Sequence, residues 1–93
     1  MTLDKDTATQ MNAQAVSLKL PGFWATQPTQ WFIQAESQFT IRGITADDTK
    51  YHYVVASLEE TTASRLLNFL QHPPTKDKYI ALKTRLLTTF GPT

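Results

Sequence analysis

Two histidines and eight carboxylates are the side chains of this 93-residue chain best suited to metal or acid–base chemistry. A zinc site needs three or four converging ligands. His52 lies between Tyr51 and Tyr53, and His72 precedes Pro73. Neither has a second histidine three or four residues away, and the chain has no cysteine. Both histidines read as structural or solvent-facing, His72 as a cation favoured at a helix C-terminus. Catalytic carboxylate pairs need a cleft that drives their pKa values apart. Asp47-Asp48 and Glu59-Glu60 instead stand where helices start, and there they offset the positive end of the helix dipole. Glu36 falls between ring-bearing turns of a helix and reads as a salt-bridge or surface residue. The many threonines have no base that the sequence pairs with them. These patterns predict no catalytic residue, no metal and no cofactor, and so no enzyme.

Lys76, Lys78, Lys83 and Arg85 give the last helix a basic face that could touch RNA weakly. So few cations neutralise only a few phosphates. The interleaved exposed aromatics of a single-strand binder are missing. A net charge of +1 supplies no global field for nucleic acid or membrane. A solvated face is the simpler reading.

The aromatic residues are the stronger signal. Phe23, Trp24, Trp31, Phe32 and Phe39 fall within seventeen residues, and the chain has ten aromatics in all. Most of them must be core. Phe23 and Trp24, however, precede the helix in an irregular segment. A small bundle that cannot cover this apolar area leaves a patch or groove for a partner. Leu18, Leu20, Phe23, Trp24, Trp31 and Tyr53 are therefore the candidate interface or peptide-groove residues.

The elements that must position these residues are helices. Residues 1–15 are small and polar, without apolar periodicity, and predict a flexible arm. Val16, Leu18 and Leu20 alternate with Ser17 and Lys19, the period of an extended segment with one apolar face. A first helix is predicted from Pro28 to Arg42. Proline suits its first turn, Trp31, Phe32, Ala35 and Phe39 share a face, and Gly43 is the candidate C-cap. A second begins at Thr45, which has the capping-box spacing to Asp48, and turns Tyr51, Val54, Val55 and Leu58 inward. A third is expected over 60–71, with Ala63, Leu66, Leu67 and Leu70 as its stripe and Phe69 on its flank, stopped by His72-Pro73-Pro74. A fourth, capped by Thr75, runs from Asp77 to Phe90 and ends at Gly91-Pro92. Its face is Tyr79, Leu82, Leu86 and Phe90, widened by Ile80 and Leu87, with Lys83 and Arg85 toward solvent. Four to five short helices give a small all-α bundle, here over residues 16–93.

The chain is long enough for one domain with a small core. No apolar run approaches the roughly 18–20 residues of a membrane span, and no signal-peptide core is evident. The lack of cysteine is compatible with a reducing cytosol.

The run Val16-Ser17-Leu18-Lys19-Leu20-Pro21-Gly22-Phe23-Trp24 is followed by Pro28, Trp31-Phe32, Glu36, Gln38-Phe39, Gly43-Ile44, Thr49-Lys50, Tyr53-Val54-Val55 and Leu58. Together with Tyr79, Ala81-Leu82-Lys83 and Leu86-Leu87, this pattern resembles the capsid N-terminal lobe of the Gag polyprotein of gypsy-type LTR retrotransposons, the Arc-like capsid family. The likeness covers about Val16 to Phe90. The Leu-Pro-x-Phe-Trp and Trp-Phe combination is its specific part, and the rest is general helical pattern. Gly22 departs from the family's common second proline, and Glu59-Glu60 from its proline-rich helix start. No second capsid lobe, zinc knuckle or protease motif is seen, so the chain reads as an excised lobe or the product of a shortened gene. The resemblance implies a cytoplasmic, non-enzymatic structural protein. It would self-associate as a homo-oligomer into a virus-like particle and contact RNA only indirectly or weakly, with no membrane partner. Domesticated members bind extended hydrophobic peptides with the corresponding lobe, so a peptide-binding adaptor is the alternative expectation.

Overall fold

A computed structural model describes residues 18–91. The expected arm over 1–15, Val16 and the Pro92 stop lie outside the described residues. Five helices follow an extended entry segment: α1 Pro28–Arg42, α2 Asp47–Ala56, α3 Glu60–Arg65, α4 Leu67–Gln71 and α5 Lys78–Phe90. No strand occurs among the described residues, and the fold is a small all-α bundle.

Local chemistry sets α1. Pro28 occupies its first turn, and Gly43 closes it in the left-handed conformation (φ 69°) that glycine adopts without steric cost. The Gly43 and Ile44 N–H groups then bond the Thr40 and Phe39 carbonyls. At the other end of the chain, a Cβ on Gly91 would collide with the Leu87 carbonyl oxygen, so glycine suits the end of α5.

The core is built around α1. Trp31, Phe32, Ala35 and Phe39 are buried, as their spacing predicts. α5 packs across both α1 and α2 and adds Tyr79, Leu82 and Leu86, and α2 adds Tyr51 and Val54. Several rings meet edge to face: Phe23 with Trp31 (5.2 Å), Phe32 (6.1 Å) and Phe90 (5.8 Å), and Tyr79 with Phe32 (6.3 Å) and Phe39 (5.9 Å). Such pairs match the positive edge of one ring to the negative face of the next.

The entry segment alternates as expected, with Leu18 and Leu20 buried and Lys19 exposed. Two bonds pin it to the bundle. The Trp31 indole Nε1–H donates to the Pro21 carbonyl at 2.9 Å. The Phe23 N–H donates to the Ser57 carbonyl, also at 2.9 Å.

Four local expectations are corrected. The helix expected over 60–71 breaks at Leu66 (φ −113°, ψ 17°) into α3 and α4. The break buries Thr62 and Leu66 and swings Leu67 to 54% exposure, so Leu67 leaves the predicted stripe. The Thr45 capping box does not form: α2 starts at Asp47 after Ala46, with no side-chain cap. Thr75 does not cap the last helix either. Asp77 precedes α5 in the left-handed region (φ 54°) without a side-chain cap of its own. The caps come from across the bundle, where the Lys78 and Tyr79 N–H groups donate to Asp47 Oδ2 and Oδ1 at 2.9 and 3.0 Å. Ile80, expected to widen the apolar face of α5, is exposed.

Candidate functional site

The six candidate interface residues separate by burial. Leu18, Leu20, Phe23 and Trp31 lie in the core, so in this structure they cover one another rather than a partner. Trp24 and Tyr53 are half-buried at its edge. Tyr53 borders a shallow hollow with Asp48, Thr49, His52 and Ala56. His52 stacks edge-on against the Tyr51 ring at 4.9 Å, and His72 caps α4 at its C-terminal end.

The four candidate RNA contacts are largely occupied within the fold. Lys78 pairs with Asp48 at 3.0 Å. Lys83 pairs with Glu36 at 2.8 Å and is half-buried rather than solvent-facing. The Arg85 guanidinium lies over the Phe69 ring at 5.2 Å. Lys76 is exposed.

Glu36 is the polar centre of the α1–α5 contact. Its Oε2 accepts the Tyr79 hydroxyl at 2.6 Å and the Lys83 ammonium at 2.8 Å. Burial alone would push this carboxyl up. The bonds from Lys83 and Tyr79 and the positive charges of Lys83 and Lys50 outweigh burial and hold it below its ordinary value. Burial, then the bond to Glu36 and its charge, push the Tyr79 phenol well above its ordinary value. The cluster thus ties α1 to α5 through one carboxylate oxygen that accepts from both Tyr79 and Lys83. The position of Glu36 on the helix hinted at an ion pair, but nothing in the sequence named Tyr79 as a second donor.

The outer face of α1 was missed. Ile33 and Ile41 are 61% and 73% exposed. With Glu36, Ser37 and Thr40 they line a shallow depression of about 500 Å³. Both isoleucines stand eight residues apart on the side opposite the buried stripe, a pattern that a helical wheel would have revealed. No group of three or more His, Cys, Asp or Glu side chains that could hold a metal occurs among the described residues. No helix among the described residues is long and apolar enough to cross a membrane.

A family model described as a domain of unknown function, DUF7041, matches residues 20–93. The chain belongs to that family. The match takes in every helix of the DUF7041 domain and the entry segment from Leu20 onward. No curated protein matches the chain, and no solved structure matches it. Within the DUF7041 domain, Glu36 borders the exposed α1 face and at the same time ties α1 to α5 through Tyr79 and Lys83.

Proposed function

We propose that this domain is a structural lobe that assembles with copies of itself, as the Gag capsid resemblance implies. The observation that supports the reading is the pair Ile33 and Ile41 on the outer face of α1. A β-branched residue gains nothing from an exposed helical position, whereas covering it against a partner releases about 25 cal/mol per Å² of apolar surface. In this reading the protein is cytoplasmic and not an enzyme, and RNA is contacted only indirectly or weakly. Light scattering coupled to size-exclusion chromatography, across concentrations and at low and high salt, tests it. Dimers or larger species should grow with concentration and be lost in an Ile33→Glu/Ile41→Glu double variant. A monomer at every concentration refutes assembly through this lobe.

A second reading, a Gag-derived adaptor for extended hydrophobic peptides, draws support from the entry segment. Leu18, Leu20 and Phe23 show an extended chain lying with its apolar side chains in the bundle. Saturable binding of a short hydrophobic peptide by the monomer would favour it.

A further inference from the structure

Ile33, Ser37 and Ile41 are exposed and follow one another at every fourth position of α1. They form one ridge along the helix, each residue about 5–6 Å from the next. The ridge reads the same in both directions, with a small hydroxyl residue at its centre and an isoleucine on either side. The depression along it shares Glu36 and Thr40 with a neighbouring cleft that carries Ile80. Among the described residues, three of the four exposed large hydrophobic side chains therefore border one continuous surface.

Charge is kept off the ridge. From Thr29 to Ile41 every exposed residue of α1 is uncharged, and Arg42 stands at the very end of the helix. Glu36 is half-buried, and its carboxylate turns to Tyr79 and Lys83 of α5. Protein interfaces are depleted of charge at their centre. A second copy is the occupant that this pattern fits. A two-fold axis sets the residues nearest it against their own kind, so a charged ridge would repel itself and an uncharged one does not. An unrelated partner gains nothing from the symmetry of the ridge.

Resting on the assembly reading above, we infer that two copies of this domain pair antiparallel through α1 about a two-fold axis at Ser37. Ser37 then faces Ser37 of the partner subunit, and Ile33 packs against Ile41 of the partner subunit. The small central residue lets the helix axes approach to the short end of the usual range of about 8–10 Å, and the isoleucines cover it from both sides. One helix face makes a small interface, so the dimer is reversible and grows with concentration.

The chain has no cysteine, so introduced cysteines report the register without background. Ser37→Cys, Ile33→Cys and Ile41→Cys are oxidised in the full chain at concentrations where light scattering shows dimers. Ser64→Cys, at an exposed position on α3 outside both hollows, is the control. All four positions are exposed, and melting curves check that each variant folds. A disulfide needs Cα atoms about 4.4–6.8 Å apart. Ser37→Cys should give at least ten times more cross-linked dimer than Ser64→Cys. Ile33→Cys and Ile41→Cys should cross-link when mixed, and neither should exceed the control alone, because antiparallel pairing holds like positions there about 12 Å apart along the helix. If the unmodified chain is a monomer at every concentration, the assembly reading and this inference fall together. If dimers form but Ser37→Cys cross-links no better than Ser64→Cys, or Ile33→Cys cross-links with itself as well as with Ile41→Cys, assembly stands and this pairing is overturned.

Discussion

Asp47 and Tyr79 stand 32 residues apart in sequence, and the Tyr79 backbone N–H donates to Asp47 Oδ1 at 3.0 Å. The Lys78 N–H takes the other oxygen at 2.9 Å. One carboxylate therefore serves two helix N-termini. It lies in the first turn of α2, where the dipole favours a negative charge, and supplies the cap that α5 lacks locally.

Removing this cap should cost more than removing its neighbour. Asp47→Ala leaves two N–H groups of α5 without a protein acceptor and should lose about 1–2 kcal/mol in urea unfolding. Asp48→Ala removes only a surface pair with Lys78 and should lose about 0–1 kcal/mol. Equal losses would contradict the cross-bundle cap.

Stability should fall at both ends of the pH scale through Glu36 and Tyr79. The Glu36 pKa is lowered on folding, so its contribution is present above the ordinary value of 4.5 and is lost as pH falls through the folded pKa. The Tyr79 pKa is raised, so its contribution is present below the ordinary value of 10.0 and is lost as pH rises beyond it. Glu36→Gln should flatten the acid limb of the stability profile, and Tyr79→Phe the alkaline limb. Thermal melts across pH read both.

The two tryptophans should behave differently. Trp31 is fully buried, and Trp31→Ala should cost about 3–5 kcal/mol. Trp31→Phe keeps most of the ring but leaves the Pro21 carbonyl without its donor, at about 1–3 kcal/mol. Trp24 is half-buried, so Trp24→Ala should cost clearly less than Trp31→Ala. If Trp24→Ala weakened association while leaving stability near wild type, Trp24 would belong to the interface.

Leu66 and Leu67 give a local test of the α3–α4 break. Leu66→Ala should cost about 2–5 kcal/mol, because Leu66 is core. Leu67→Gln should stay within about 0.5 kcal/mol, because that side chain faces solvent. An unbroken helix with both leucines on its inner stripe would make both changes costly.

What the sequence disclosed follows from the range of each interaction. The bounds of α1 are carried by Pro28 and Gly43, which act on their own turns, and its buried face follows from the spacing of Trp31, Phe32, Ala35 and Phe39. The cap from Asp47 to α5 spans more than thirty residues, so capping rules that look three residues ahead point to Thr45 and Thr75 instead. The break at Leu66 is a tertiary demand: only the packed bundle decides that Leu66 and Thr62 turn inward and Leu67 does not. The same holds for the candidate interface. Apolar character in Leu18, Leu20, Phe23 and Trp31 marks a side chain that needs cover, and only the fold reveals that the chain covers them itself. Ile33 and Ile41 are legible as helix residues opposite the buried stripe, and their exposure follows from that spacing.

The position of α5 as the cover of both α1 and α2 has a consequence during synthesis. Until residues 78–90 leave the ribosome, Phe32, Phe39 and Tyr51 have no lid, and Asp47 has no amide to hold. At about 5–20 residues per second, translation keeps the earlier helices in that state for seconds. Neighbouring nascent chains on one message then display their inner rings to each other before either can close. The order of the helices thus makes the interval before completion, rather than the finished domain, the time when wrong pairings between copies are most easily made.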